Sequence, residues 1–153
     1  MIVDPNKIQI NDASGSDNPS IADVAIRYVN KLPHVHYTAL GINIVAYAEC
    51  SEPEKWLLHR FVKDGPWTRL ESGIKAAGVR LVYDVDKSQL NLNVDVGTTQ
   101  SLGIAEHECI VLNGNYHTAA TREKAVEELG KALSCFRDRQ AHFFALVNIL
   151  LNQ

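Results

Sequence analysis

Apolar residues recur along this chain with two periods, and each change of period marks a new element. Ile21, Val24, Ala25, Tyr28, Val29 and Leu32 follow helical spacing, while Asp23, Arg27, Asn30 and Lys31 take the opposite side. Asn18 or Ser20 can cap this helix, Pro19 suits its first turn, and Pro33 stops it after about Lys31. Ahead of it, Lys7 to Ile10 is a short extended segment, and residues 11–18 have the composition of a loop.

From Val35 to Glu49 the period becomes two, which predicts a long strand. Leu40, Ile42, Ile44, Ala46 and Ala48 share one face; Tyr37, Ala39, Gly41, Asn43, Val45 and Tyr47 share the other. Ser51-Glu52-Pro53-Glu54 then has the form of a helix entry, with Ser at the cap. A short helix to about Val62 presents Leu57, Leu58 and Phe61, and Asp64-Gly65-Pro66 turns the chain. Residues 67–77 carry no clear period; Trp67 to Ser72 fits a strand or an irregular arm.

Alternation returns at Gly78. Val79, Leu81, Tyr83 and Val85 answer Leu90, Leu92, Val94 and Val96 across a turn near Lys87-Ser88. Folded as a hairpin with Val85 opposite Leu90 and Val79 opposite Val96, the two runs pair every apolar residue and set Arg80 against Asp95. Gly97 to Ala105 reads as a loop and Glu108 to Tyr116 as another strand. Thr118 or Thr121 opens the last helical region, with Glu123 in its first turn. Val126, Leu129, Leu133, Phe136, Phe144, Val147 and Leu151 continue one apolar stripe to the end, as one long helix or as two hinged near Asp138. Strands grouped centrally, hairpin connections and helices at the ends predict a single α+β domain: a mainly antiparallel sheet of four to five strands with helices on one face and a long C-terminal helical region.

Composition narrows the functional classes. The chain has 153 residues, 46% hydrophobic and 22% charged, as expected of one globular domain. A formal net charge of −3, with no uninterrupted basic cluster, argues against a nucleic-acid partner. The longest apolar run, Phe143 to Leu151, is broken by Asn148 and falls short of the ~20 residues a bilayer requires, so no membrane partner is expected. Cys50, Cys109 and Cys135 lie far apart in no paired spacing, the pattern of reduced structural thiols, and a cytoplasmic location is expected.

Candidate chemistry is sparse. His34 with His36, and His107 with Cys109, have the strand spacing of two metal ligands, but two ligands do not make a site, and no metal or cofactor is expected. None of the three cysteines has a local base or a feature lowering its pKa, so no catalytic residue can be assigned. Phosphate loops and a GxSxG elbow are absent from the sequence.

The stronger feature is collective. If the Leu40-Ile42-Ile44 and Leu90-Leu92-Val94 faces both pack under helices, the opposite face carries Tyr37, Asn43, Tyr47, Asn91, Asn93, Asn113, Asn115 and His117. Asparagine is a poor strand former, so several on one sheet face call for a reason. They are a solvated face, an interface for self-association or another protein, or a shallow pocket whose amides and phenols bind a small polar ligand. The C-terminal run His142 to Leu151, apolar most of the way round a helix, is either core or a second interface. An interaction domain that self-associates is the favoured function; a small-ligand binding protein or enzyme using the Asn/Tyr/His face is the alternative.

Overall fold

Buried apolar side chains at every second position of the central strands place the core of the protein. A computed structural model describes residues 2–4, 7–12, 20–70, 73–99 and 106–152. A small hairpin, β1 (Ile2–Asp4) with β2 (Lys7–Gln9), precedes helix α1 (Ser20–Lys31). Strand β3 (Ala39–Glu49) and helix α2 (Pro53–Phe61) follow, then strands β4 (Val79–Val85), β5 (Ser88–Thr98) and β6 (Glu108–Ala119), and helices α3 (Ala125–Ser134) and α4 (Phe136–Leu151). The four longer strands form one antiparallel sheet in the order β3-β6-β5-β4. This is the α+β architecture the sequence predicts.

One face of that sheet is the core. Ile42, Leu90, Leu92, Val94, Ile110, Leu112 and Tyr116 point into it and meet Leu57 of α2 with Phe143 and Val147 of α4. Helix α3 lies against β3 and the start of α4, and α1 packs on α3. Gly114 is what lets α4 come so close. A Cβ there would sit 2.7 Å from the Phe143 ring, whose side chain is fully buried.

Several sequence expectations need correction. The β4–β5 hairpin has the predicted faces but not the predicted register: Val85 pairs with Ser88, Tyr83 with Leu90, Leu81 with Leu92 and Val79 with Val94. The slip is two residues, which preserves every side chain's face, so alternation cannot detect it. The turn decides, because Asp86 adopts a left-handed φ of 52° and closes the hairpin with only Asp86 and Lys87 between the strands. Arg80 therefore stands across from Asn93, not Asp95, and donates to Asn91 Oδ1 at 2.6 Å.

Strand β3 begins at Ala39 rather than Val35, while β6 runs on to Ala119, so Thr118 is a strand residue and not a helix cap. Strand β5 likewise continues through Gly97 to Thr98, into the expected loop, whose residues 100–105 lie outside the described ones. Thr121 does not cap either. Its N–H and hydroxyl both donate to the Glu128 carboxylate, at 2.7 and 3.1 Å, tying the turn to the first turn of α3. Of the caps expected for α1, Ser20 is already helical, and Asn18 and Pro19 lie outside the described residues. At α2 the cap position is Glu52, which makes no capping bond, so Ser51 lies one residue too early. Of the two readings of Trp67 to Ser72, the described residues show no strand: Pro66–Arg69 is a single 3-10 turn, and residues 71–72 lie outside the described ones. The C-terminal region is two helices broken at Cys135, three residues before the expected hinge.

Candidate functional site

The core-facing side of the sheet is covered by helices; no described element covers the other side, which is bare among the described residues. On that outer face the register aligns Asn43 with Asn115 and Asn115 with Asn91, and in the next row Val45 with Asn113 and Asn113 with Asn93. The amides engage one another. Asn115 Nδ2 donates to Asn43 Oδ1 at 2.5 Å, while Arg80 holds Asn91. His117 lies at one end of this face, between Gly41 and Gln89, and Tyr47 at the other, across from Val111. Of the expected ligand-binding residues, Asn43, Tyr47, Asn91, Asn93, Asn115 and His117 thus share one surface.

Tyr37 does not join them. It precedes β3, and its phenol is pushed upward in pKa by burial first and by Tyr28 of α1 second, which sets it with the helices. Its hydroxyl is buried without a hydrogen-bond partner among the described residues. The alternation that put Tyr37 on the outer face stops at Ala39, where the strand stops.

Two apolar side chains stand exposed on the bare face, Val45 at 42% and Val82 at 52%. The α4 helix offers less. Phe144 and Ile149 are exposed, but their helical positions fall on opposite flanks of the buried Phe143–Val147 stripe, so they form no continuous patch. The β3 edge adds a second feature. Among the described strands only β6 lies beside it, and its residues 39–48 carry no charge. Its core-face residues Leu40, Ile44, Ala46 and Ala48 are only partly buried, whereas their neighbours on β6 are buried. At the other edge, β4 is shorter and carries Arg80 and Asp84.

Elsewhere, a polar cluster joins α4 to the sheet. Arg139, 8% exposed, lies over the Tyr116 ring at 5.4 Å, reaches the Asp86 carboxylate at 3.3 Å and Ser88 Oγ at 3.4 Å, and Ser88 pairs with Thr118 at 2.7 Å. The Tyr116 hydroxyl meets His142 Nδ1 at 2.7 Å, and burial pushes its pKa up to about 12, with Arg139 opposing. Sequence reasoning missed this cluster. Arg139 lies four residues before Phe143 and eight before Val147, so helical spacing from those two buried residues is the signal that could have found it.

Two depressions lie outside the asparagine rows. One, of about 740 Å³, runs between the α1–β3 connection and α3, lined by His34, His36, Arg122, Lys124, Glu127 and Lys131. Arg122 approaches His36 Nε2 at 3.4 Å, and Lys131 pairs with Glu127. The other, about 540 Å³, is lined by Glu49, Cys50, Ser51, His107 and Glu108. His107 Nδ1 lies 3.2 Å from Thr99 Oγ1. Cys109, two residues on, is buried with its thiol toward the Gly97 carbonyl at 3.7 Å, and burial raises its pKa, the direction opposite to an activated thiolate. Among the described residues no three His, Cys, Asp or Glu side chains come together as a metal site, and no helix is long and apolar enough to cross a membrane. No protein-family model, curated protein or solved structure matches the chain.

Proposed function

We propose that this chain is a non-enzymatic interaction domain that docks to protein through the open β3 side of its sheet. The observation that carries the reading is the edge strand itself: β3 runs for 11 residues, uncharged to its last position, with one neighbour only among the described strands. An unpaired edge presents a row of backbone donors and acceptors, and folded proteins blunt such edges with charge, proline or brevity. Strand β4 has the charges and the brevity; β3 has none of these devices. The bare outer face beside it, with Val45 and the amide rows, extends the same surface. Part of the amide capacity a small polar ligand would need is already used within the face, Asn115 donating to Asn43 and Arg80 to Asn91, which favours this use over a ligand pocket.

Covalent footprinting tests the reading. Val45 and Tyr47 should label strongly in dilute purified protein and be protected in the cells that make it, while Trp67, exposed on the α2–β4 connection, labels alike in both. Strong labelling of Val45 in both settings would sink the proposal.

A further inference from the structure

Building on that function, on which it depends, we propose that the partner is a second copy of this chain, joined β3 to β3 in antiparallel register about a twofold axis at Ile44. This register alone uses the whole strand, Ala39 through Glu49. It sets Leu40 opposite Ala48 and Ile42 opposite Ala46 on the core side, Gly41 opposite Tyr47 and Asn43 opposite Val45 on the outer side, with Ile44 meeting itself. Three of these pairs match a large side chain with a small one, and a glycine on an edge strand is a favoured seat for a cross-strand aromatic ring. Gly41 is exposed, with the Asn115 amide nitrogen 3.0 Å from where its Cβ would lie, so an incoming ring would pack over the glycine and against that amide.

Charge agrees. Glu49 is the only Asp, Glu, Lys, Arg or His on β3, and the twofold places it across from Ala39 at the far end, so no like charges meet. The partly buried Leu40, Ile44, Ala46 and Ala48 gain cover from their symmetry mates, which continue the apolar layer already shared with β6. Two four-stranded sheets become one, and the asparagine rows continue across the seam toward the partner's.

Asn43 and Val45 are both exposed and face each other only in this register, which allows a charge test. Light scattering over about a hundredfold range of concentration should give a dimer for the wild type. The Asn43→Lys/Val45→Lys variant, with lysine facing lysine twice, should be monomeric. Asn43→Lys/Val45→Glu, with lysine facing glutamate twice, should dimerise again. A register centred one residue away would set position 43, or position 45, against its own symmetry mate. Identical charges would then meet in both variants, and both would be monomers. A wild-type monomer, a dimeric double-lysine variant, or a monomeric lysine–glutamate variant each overturns the proposal. Circular dichroism establishes that the variants fold. Mixed-isotope wild-type protein gives a readout needing no substitution: interchain NOEs between Asn43 and Val45 are expected, and their absence in a dimer overturns the register. A wild-type monomer whose Val45 is nonetheless protected in cells removes the second copy while leaving the docking function standing.

Discussion

Gly114 and Phe143 are an obligate pair: the glycine sits on the core face of β6 directly beneath the ring, with Leu90 Cδ1 also 3.3 Å from where a Cβ would be. Backbone dihedrals are not the reason for the glycine, since its φ is not in the left-handed region. Space is. Gly114→Ala should destabilise the protein by about 1–3 kcal/mol, the range for overpacking a core. Adding Phe143→Leu should recover part of that loss, because the two changes share one volume. Urea denaturation of the four proteins checks it; strictly additive losses would show that α4 rests on β6 some other way.

Arg139 and Asp86 form an ion pair of unequal members, the guanidinium buried and the carboxylate 81% exposed. Asp86→Asn should therefore cost less than about 1 kcal/mol, since an exposed carboxylate is well screened and asparagine also tolerates the turn's positive φ. Arg139→Ala should cost more, about 2 kcal/mol, because it also strips the stacking on Tyr116 and the packing of its stem. Equal losses in denaturant would mean that the ion pair, not the packing, holds α4 to the hairpin.

Tyr116 sets a limit on alkaline stability. Its folded pKa of about 12 lies above the ordinary 10, so between those values the unfolded chain releases a proton that the native one keeps. Stability from this group is complete below pH 10 and is lost as pH rises toward 12. The melting temperature of the wild type should fall through that window, and Tyr116→Phe should flatten the fall. An unchanged slope in the variant would assign the alkaline loss to another group.

Neighbours in sequence on β5 should respond oppositely. Leu92 is buried in the core and Asn93 is exposed on the outer face. Leu92→Asp places an unpaired charge in the core and should unfold the protein. Asn93→Ala should change stability by no more than about 0.5 kcal/mol in the isolated protein. Circular dichroism melts of the two variants decide, and a folded Leu92→Asp would contradict the assignment of faces.

What the sequence disclosed was parity, and what it withheld was anything parity cannot encode. Leu90, Leu92 and Val94 alternate with Asn91 and Asn93, so the two faces of the sheet followed directly. The hairpin register did not, since a slip of two leaves that alternation intact and only Asp86's backbone selects the turn. The helix break at Cys135 was hidden because Leu133 and Phe136 keep an i, i+3 stripe across it. Tyr37 was misplaced for the converse reason, an alternation carried past the end of its strand. Strand order and the exposed edge belong to long-range pairing, which no local period contains; only the lack of charge from Ala39 to Ala48 hinted at it.

The most direct test of the account is amide hydrogen exchange along β3, read residue by residue in dilute and in concentrated protein. Alternate β3 amides point away from β6 and have no described strand beside them in the monomer. Edge-to-edge pairing predicts that these outward amides slow by about tenfold or more on concentration, while the outward amides of β4 exchange as before. Outward β3 amides that exchange freely in concentrated protein would contradict it.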